Sequence, residues 1–182
     1  MSTTNISAHV SWGEATASAT AKARGISNVP EIAIIQNMKH VAENIFEKVR
    51  AHFGQPIKVT SFYRSQGLNK AIGGSATSQH CKGEAMDLDG DVYGSPSNRQ
   101  IFEFIRDNLV FDQMIIEGIV DGQIAWVHCS LKKTGNRKEI KFMYHSKNGK
   151  VVPSGTTGAK KIYEPYTPER YKALVYSSSV AA

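Results

Sequence analysis

Cysteine is nearly absent from this chain. Only Cys81 and Cys129 occur in 182 residues, and no CxxC pair is present. That excludes a disulfide framework and a cysteine-based zinc knuckle. Long apolar runs are missing too, with nothing near the ~18 consecutive apolar residues of a membrane helix, so no membrane partner is expected. The opening stretch MSTTNISAHVSWGEATASATAK has no basic segment leading into an apolar one, so no secretory signal is expected. The expectation is synthesis in the cytoplasm without a signal peptide, with another route of delivery if the protein acts outside. Concentrated basic tracts are also lacking. Lys132-Lys133, Arg137-Lys138 and Lys160-Lys161 are dispersed pairs without interleaved aromatics, so nucleic acid is not an expected partner.

What is present describes an ordinary globular chain. Apolar residues make up 41% and charged residues 21%, which argues against global disorder. The length fits one domain of about 100–200 residues. A net charge of +6 favours polyanions, including a bacterial cell wall, without choosing among them. A monomer is the default expectation.

Periodicity and caps divide the chain. Ser11-Trp12-Gly13-Glu14 reads as a capping box, with Gly25 as the stop of a first short helix. Pro30 fits the first turn of a second helix. Ile34, Ile35, Met38, Val41, Ala42, Ile45, Phe46 and Val49 then form a helical stripe ending near Gly54. Strands are expected at Ile57–Phe62, Glu84–Leu88, Gln113–Glu117, Ile124–Ser130 and Lys138–Tyr144. One helical turn fits Leu68–Ile72, and Ser97 caps a helix bearing Ile101, Phe104, Ile105 and Leu109. Asp121-Gly122 is a two-residue hairpin signal. The class is α+β, a small antiparallel sheet with helices packed on one side. The domain is expected over 1–147, with the Gly-, Ser-, Thr- and Pro-rich stretch 148–182 as a C-terminal extension, loosely structured or packed on the domain.

SQHCKGEAMDLDG, residues 78–90, carries the chemistry. His80 and Asp87 offer one neutral nitrogen and one anionic oxygen, and Gly83 allows a tight turn between them. Hydrolytic zinc sites use three protein ligands and leave a fourth position open. His128, within a β-rich segment, is the best third candidate. His9, His40, His52 and His145 suit surface roles better. Spacing alone leaves a metal site and a polar loop both open. Each cysteine follows a histidine, but successive side chains on an extended backbone face opposite ways, so both thiols are expected off the site. Glu117 ends the strand that the hairpin brings beside His128, where a carboxylate can act as base. Arg64, after a buried strand, can hold a substrate carboxylate or an oxyanion, or make a surface salt bridge.

SFYRSQGLNKAIGGSATSQHCKGEAMDLDGDVYG, with FDQMIIEG and WVHCS downstream, resembles the zinc peptidases of the M15 type, the D-Ala-D-Ala carboxypeptidase-like group of bacteria and their phages. The pattern SxHxxGxAxD falls on Ser78, His80, Gly83, Ala85 and Asp87, and WVH on Trp126 to His128. The resemblance implies one zinc per chain held by His80, Asp87 and His128, on the fold shared with the Hedgehog signalling domain. It makes Arg64 the substrate-polarising arginine and Ser78 a substrate-binding or bracing serine. Several relatives carry the catalytic acid three residues before the last histidine, where this chain has Ala125. The Hedgehog-like arrangement instead matches Glu117. Glu84, Asp89 and Asp91 are expected near the site or in solvent, not as ligands. The implied activity is cleavage of peptidoglycan stem peptides, as D-Ala-type carboxypeptidase or endopeptidase, in phage lysis or on a virion. The alternative is a zinc-stabilised binding module of the same fold without catalysis.

Overall fold

A computed structural model describes residues 5–176. Two short helices open the chain where one was expected. Ser11 caps α1 (Trp12–Thr16) by accepting from the Glu14 amide, and Ser18 caps α2 (Ala19–Arg24) in the same way from Ala21. The second capping serine competes with helix continuation, since its side chain replaces an intrahelical partner. Gly25 ends α2 in the left-handed conformation. Pro30 is not inside the next helix. Glu31 is the N-cap, so the proline lies one residue upstream of it, in the extended approach.

The apolar stripe becomes α3 (Ile32–Val41), one π turn at Ala42–Phe46, and α4 (Glu47–Phe53), closed by left-handed Gly54. Met38, Val41, Ala42, Ile45, Phe46 and Val49 are all buried. After β1 (Lys58–Ser61) come α5 (Gln66–Ala71), a 3₁₀ turn at Gln79–Lys82, β2 (Ala85–Asp89) and α6 (Asn98–Asn108). Ser97 and Gln100 complete a reciprocal capping box on α6. β3 (Gln113–Glu117) and β4 (Trp126–Ser130) follow, joined through Asp121 and Gly122, both at positive φ. Two positive φ values in a two-residue turn match the twist of antiparallel strands.

The sheet is larger than expected, and it is mixed. β5 (Glu139–Lys147), β6 (Lys150–Val152) and β7 (Lys160–Pro165) extend it to seven strands. The strand order is β1-β2-β4-β3-β5-β6, with β7 also on β5. Every pairing is antiparallel except β3 with β5. Parallel pairing arises because the chain leaves β4 through a loop at 131–138 and returns on the far side of β3, entering from the same end. The last helix, α7 (Pro168–Val175), places Tyr171 and Val175 in the core. Residues 148–176 therefore supply strands to the common sheet and side chains to the common core.

Alternation along the central strands separates two faces. Met86, Leu88, Met114, Ile116, Val127 and Phe142 point into the core, all of them without any exposure. Asp87, Ile115, Glu117, His128 and Met143 occupy the other pleat.

Candidate metal centre

His80 comes from a turn, the other two ligand candidates from paired strands. The 3₁₀ turn turns the imidazole inward, and Gly83 closes it at φ +67°. A Cβ at Gly83 would stand 2.7 Å from Met38 Cγ and 2.8 Å from the Ile34 carbonyl oxygen. Glycine is therefore required twice, by the backbone angle and by the approach to α3. Asp87 and His128 are direct Cα partners across β2 and β4, which sets their side chains together on one face.

The three converge. His80 Nε2 lies 3.2 Å from Asp87 Oδ1, His128 Nδ1 lies 2.9 Å from the same oxygen, and the two ring nitrogens are 3.2 Å apart. All three residues are at least nine-tenths buried. A four-coordinate cation with bonds of about 2.0–2.1 Å needs ligand atoms about 3.3–3.4 Å apart. The observed triangle is within a few tenths of an ångström of that. Among the described residues this is the one group of three such side chains with ligand atoms close enough to share a metal ion.

The surroundings select the right protonation. His80 Nδ1 is 2.7 Å from the Phe62 carbonyl oxygen, which can only accept. Nδ1 therefore carries the proton, and the Nε2 lone pair faces Asp87 and His128. Arg64 Nη2 donates to Asp87 Oδ2 at 2.6 Å, and its Nε donates to Ser61 Oγ at 2.7 Å. The carboxylate is thus divided, one oxygen to the centre and one to the guanidinium. Burial alone would raise the Asp87 carboxyl, but His80 and then His128 outweigh it and hold the group far below the usual carboxylate range.

Glu117 stands on the next strand. It pairs with Trp126, two residues from His128, and so shares the ligand face. Burial first, and the negative charge of Asp87 second, push its carboxyl up to about 7, against the pull of His128, Lys161 and Arg64. A carboxyl so placed can take up and release protons near neutrality. Ala125 is across the hairpin, its amide donating to the Glu117 carbonyl.

The other sequence candidates have partners of their own. Ser78 begins the 3₁₀ turn beside the Cys81 thiol. Cys129 points to the core face, as alternation requires, and burial pushes its thiol up. Cys81 sits in the turn and not on an extended backbone, so alternation does not apply to it. Asp89 accepts from Asn98 Nδ2 and the Asp91 amide. His9 pairs with Glu47, His40 contacts Asn44, and His52 stacks on Phe104.

One supporting residue escaped the sequence reading. Asp112, fully buried, accepts from Gln79 Nε2 at 3.0 Å, Lys132 Nζ at 3.0 Å and Arg137 Nη2 at 2.6 Å. It ties the turn holding His80 to the loop after β4. An acid one residue before a strand, with basic residues some twenty positions later, was the only signal available.

Two imidazoles and a carboxylate on a sheet face, with a partly buried acid on the adjoining strand, form a group that could hold one metal ion, in the arrangement hydrolytic sites use. Residues 8–130 match the family model described as Peptidase M15, and the chain belongs to that family. No curated protein matches it. The matched stretch ends with β4, two residues after the last ligand candidate.

Proposed function

We propose that this protein is a zinc peptidase that cuts the peptide stems of peptidoglycan, on a fold of the Hedgehog/DD-peptidase kind. The observation that carries the reading is the shared face of His80, Asp87, His128 and Glu117. His80 Nε2, Asp87 Oδ1 and His128 Nδ1 would hold the ion, and their spacing fits tetrahedral zinc. A zinc ion there supplies Lewis acidity, polarising a peptide carbonyl and making water a stronger acid.

The protein's own groups do the rest. The Phe62 carbonyl and Arg64 fix the orientation of His80 and Asp87, so the ligand triangle is set before substrate arrives. Glu117 takes a proton from the attacking water and delivers it to the leaving amine nitrogen, so the C–N bond breaks without an amide anion. Glu117, partly buried on the ligand face, is placed for both transfers. Arg64 is engaged with Asp87 and Ser61 and acts through Asp87, as a positioning residue. The net charge of +6 favours association with an anionic wall polymer.

The test is mass spectrometry of defined muropeptides after incubation with zinc-loaded protein. Loss of a terminal D-Ala or opening of a cross-link, abolished by chelation and regained with zinc, is the expected result. Unchanged masses across the panel with zinc-loaded protein would overturn the reading.

A further inference from the structure

The ligand face continues past Glu117. Cα partners run from Glu117 to Met143 and from Met143 to Tyr163, so Tyr163 shares the pleat of Glu117. Lys161, two residues earlier on β7, shares it too. Met143 is buried but stands outside the main core cluster, in the row between Glu117 and Tyr163. Tyr163 is 52% exposed, and the Lys161 ammonium lies 5.9 Å from its ring centroid.

Several cations near Lys161 are already paired, and Lys160, also in no ion pair among the described residues, is on the opposite pleat of β7. Lys141 is paired with Glu139, Arg170 with Glu164, and Arg64 with Asp87. Among the described residues Lys161 is in no ion pair. Its charge reaches the site, being among those that pull the Glu117 carboxyl down. β7 lies beyond the stretch matched to the family, so the match gives this residue no role.

We propose that Lys161, backed by Tyr163, is a carboxylate-recognition element on the ligand face of the sheet, selecting peptides with an acid about two or three residues from the bond cut. The distance follows from the sheet. Two strand spacings separate β3 from β7, about 10 Å. Lys161 lies two residues, about 7 Å, along β7 from the position opposite Glu117, and an extended peptide advances about 3.3 Å per residue. The lysine side chain reaches back over part of that span. The inference rests on the peptidase reading and adds the chemical feature by which a stem peptide is chosen.

The probe is the pentapeptide L-Ala-γ-D-Glu-L-Lys-D-Ala-D-Ala, with two variants. One has the glutamyl α-carboxyl converted to the carboxamide, the other the terminal carboxyl. Binding is measured by calorimetry to zinc-loaded Glu117→Gln protein, which leaves the peptide intact, and to the same protein also carrying Lys161→Ala or Lys161→Arg. Amidation of the glutamyl α-carboxyl should weaken binding about tenfold with Lys161 present and have no effect after Lys161→Ala, the terminal carboxyl, beside the bond cut, serving as the control. Lys161→Arg should restore the discrimination. If amidation matters equally with and without Lys161, or in neither protein, the lysine does not read an acid and the inference fails alone. If the pentapeptide does not bind even with Lys161 in place, the stem-peptide reading falls and the inference falls with it.

Discussion

Replacing Glu117 with Gln should remove activity and add stability. The carboxyl rises from an ordinary value of 4.5 to about 7 in the folded, metal-free chain. At about 1.4 kcal/mol per pH unit, that difference comes to about 3 kcal/mol. The sign follows from linkage. An acid whose folded value is raised stabilises the fold when protonated, and this advantage declines from about pH 4.5 and is gone above about pH 7. Above neutrality the wild type holds a partly buried carboxylate facing Asp87. Glutamine has the same shape and no charge. Metal-free Glu117→Gln should therefore melt higher than metal-free wild type at pH 8, by up to about 3 kcal/mol, with little difference at pH 4. Bound zinc should shrink the gap, because a nearby dication stabilises the carboxylate. Turnover on a cleaved muropeptide should fall about 10²–10⁴-fold, with zinc content unchanged. The assays are denaturant melts at the two pH values, metal analysis and turnover. A variant less stable than wild type at pH 8, or one with wild-type turnover, would refute the reasoning.

Further outcomes follow from the same geometry. His80→Ala, Asp87→Ala and His128→Ala should each strip zinc from purified protein, whereas Cys129→Ser, on the opposite face, should keep it; elemental analysis decides. Arg64→Ala frees the second oxygen of Asp87, so zinc affinity should drop about 10–100-fold in a chelator competition, the usual effect of losing a group that orients a ligand. Asp112→Ala leaves Gln79 unpartnered, while Lys132 and Arg137 reach solvent. It should destabilise the fold by about 1–3 kcal/mol in denaturant titration at pH 7. Hydrogen bonds from Arg137 and Lys132 overcome burial and hold the Asp112 carboxyl low. Its contribution should therefore be complete above about pH 4 and decline below that, so the gap between wild type and Asp112→Ala should close in acid.

Much of the fold was legible because local rules act on short windows. The Gln113–Glu117 strand, the Ser97 cap and the Asp121-Gly122 turn each depend on a few neighbouring residues, and all three are found. Alternation placed Cys129 correctly because it needs only an extended backbone. The same rule was misapplied at Cys81, where the chain is in a 3₁₀ turn. What could not be read were long-range choices. Parallel pairing of β5 with β3 depends on which edge of the sheet was open when the chain returned, and no local pattern records that. The partner of His80 Nδ1 is a backbone carbonyl, which every residue has. Arg64 reads as free to meet substrate until the fold brings Asp87 within 2.6 Å of it.

The parallel strand also bears on how the chain emerges from the ribosome. All three ligand candidates are synthesised by residue 128, and β2, β4 and β3 can pair as soon as Ser130 is out. The second edge of β3 stays open until β5 arrives at Glu139–Lys147. In that interval Met114, Ile115 and Ile116 flank a row of unpaired amides and carbonyls, the kind of edge that recruits strands from other chains. Early capture of a metal ion would fix β2 against β4 and leave this edge untouched. A fragment ending at Ser130 would hold every ligand and still be prone to stick to copies of itself.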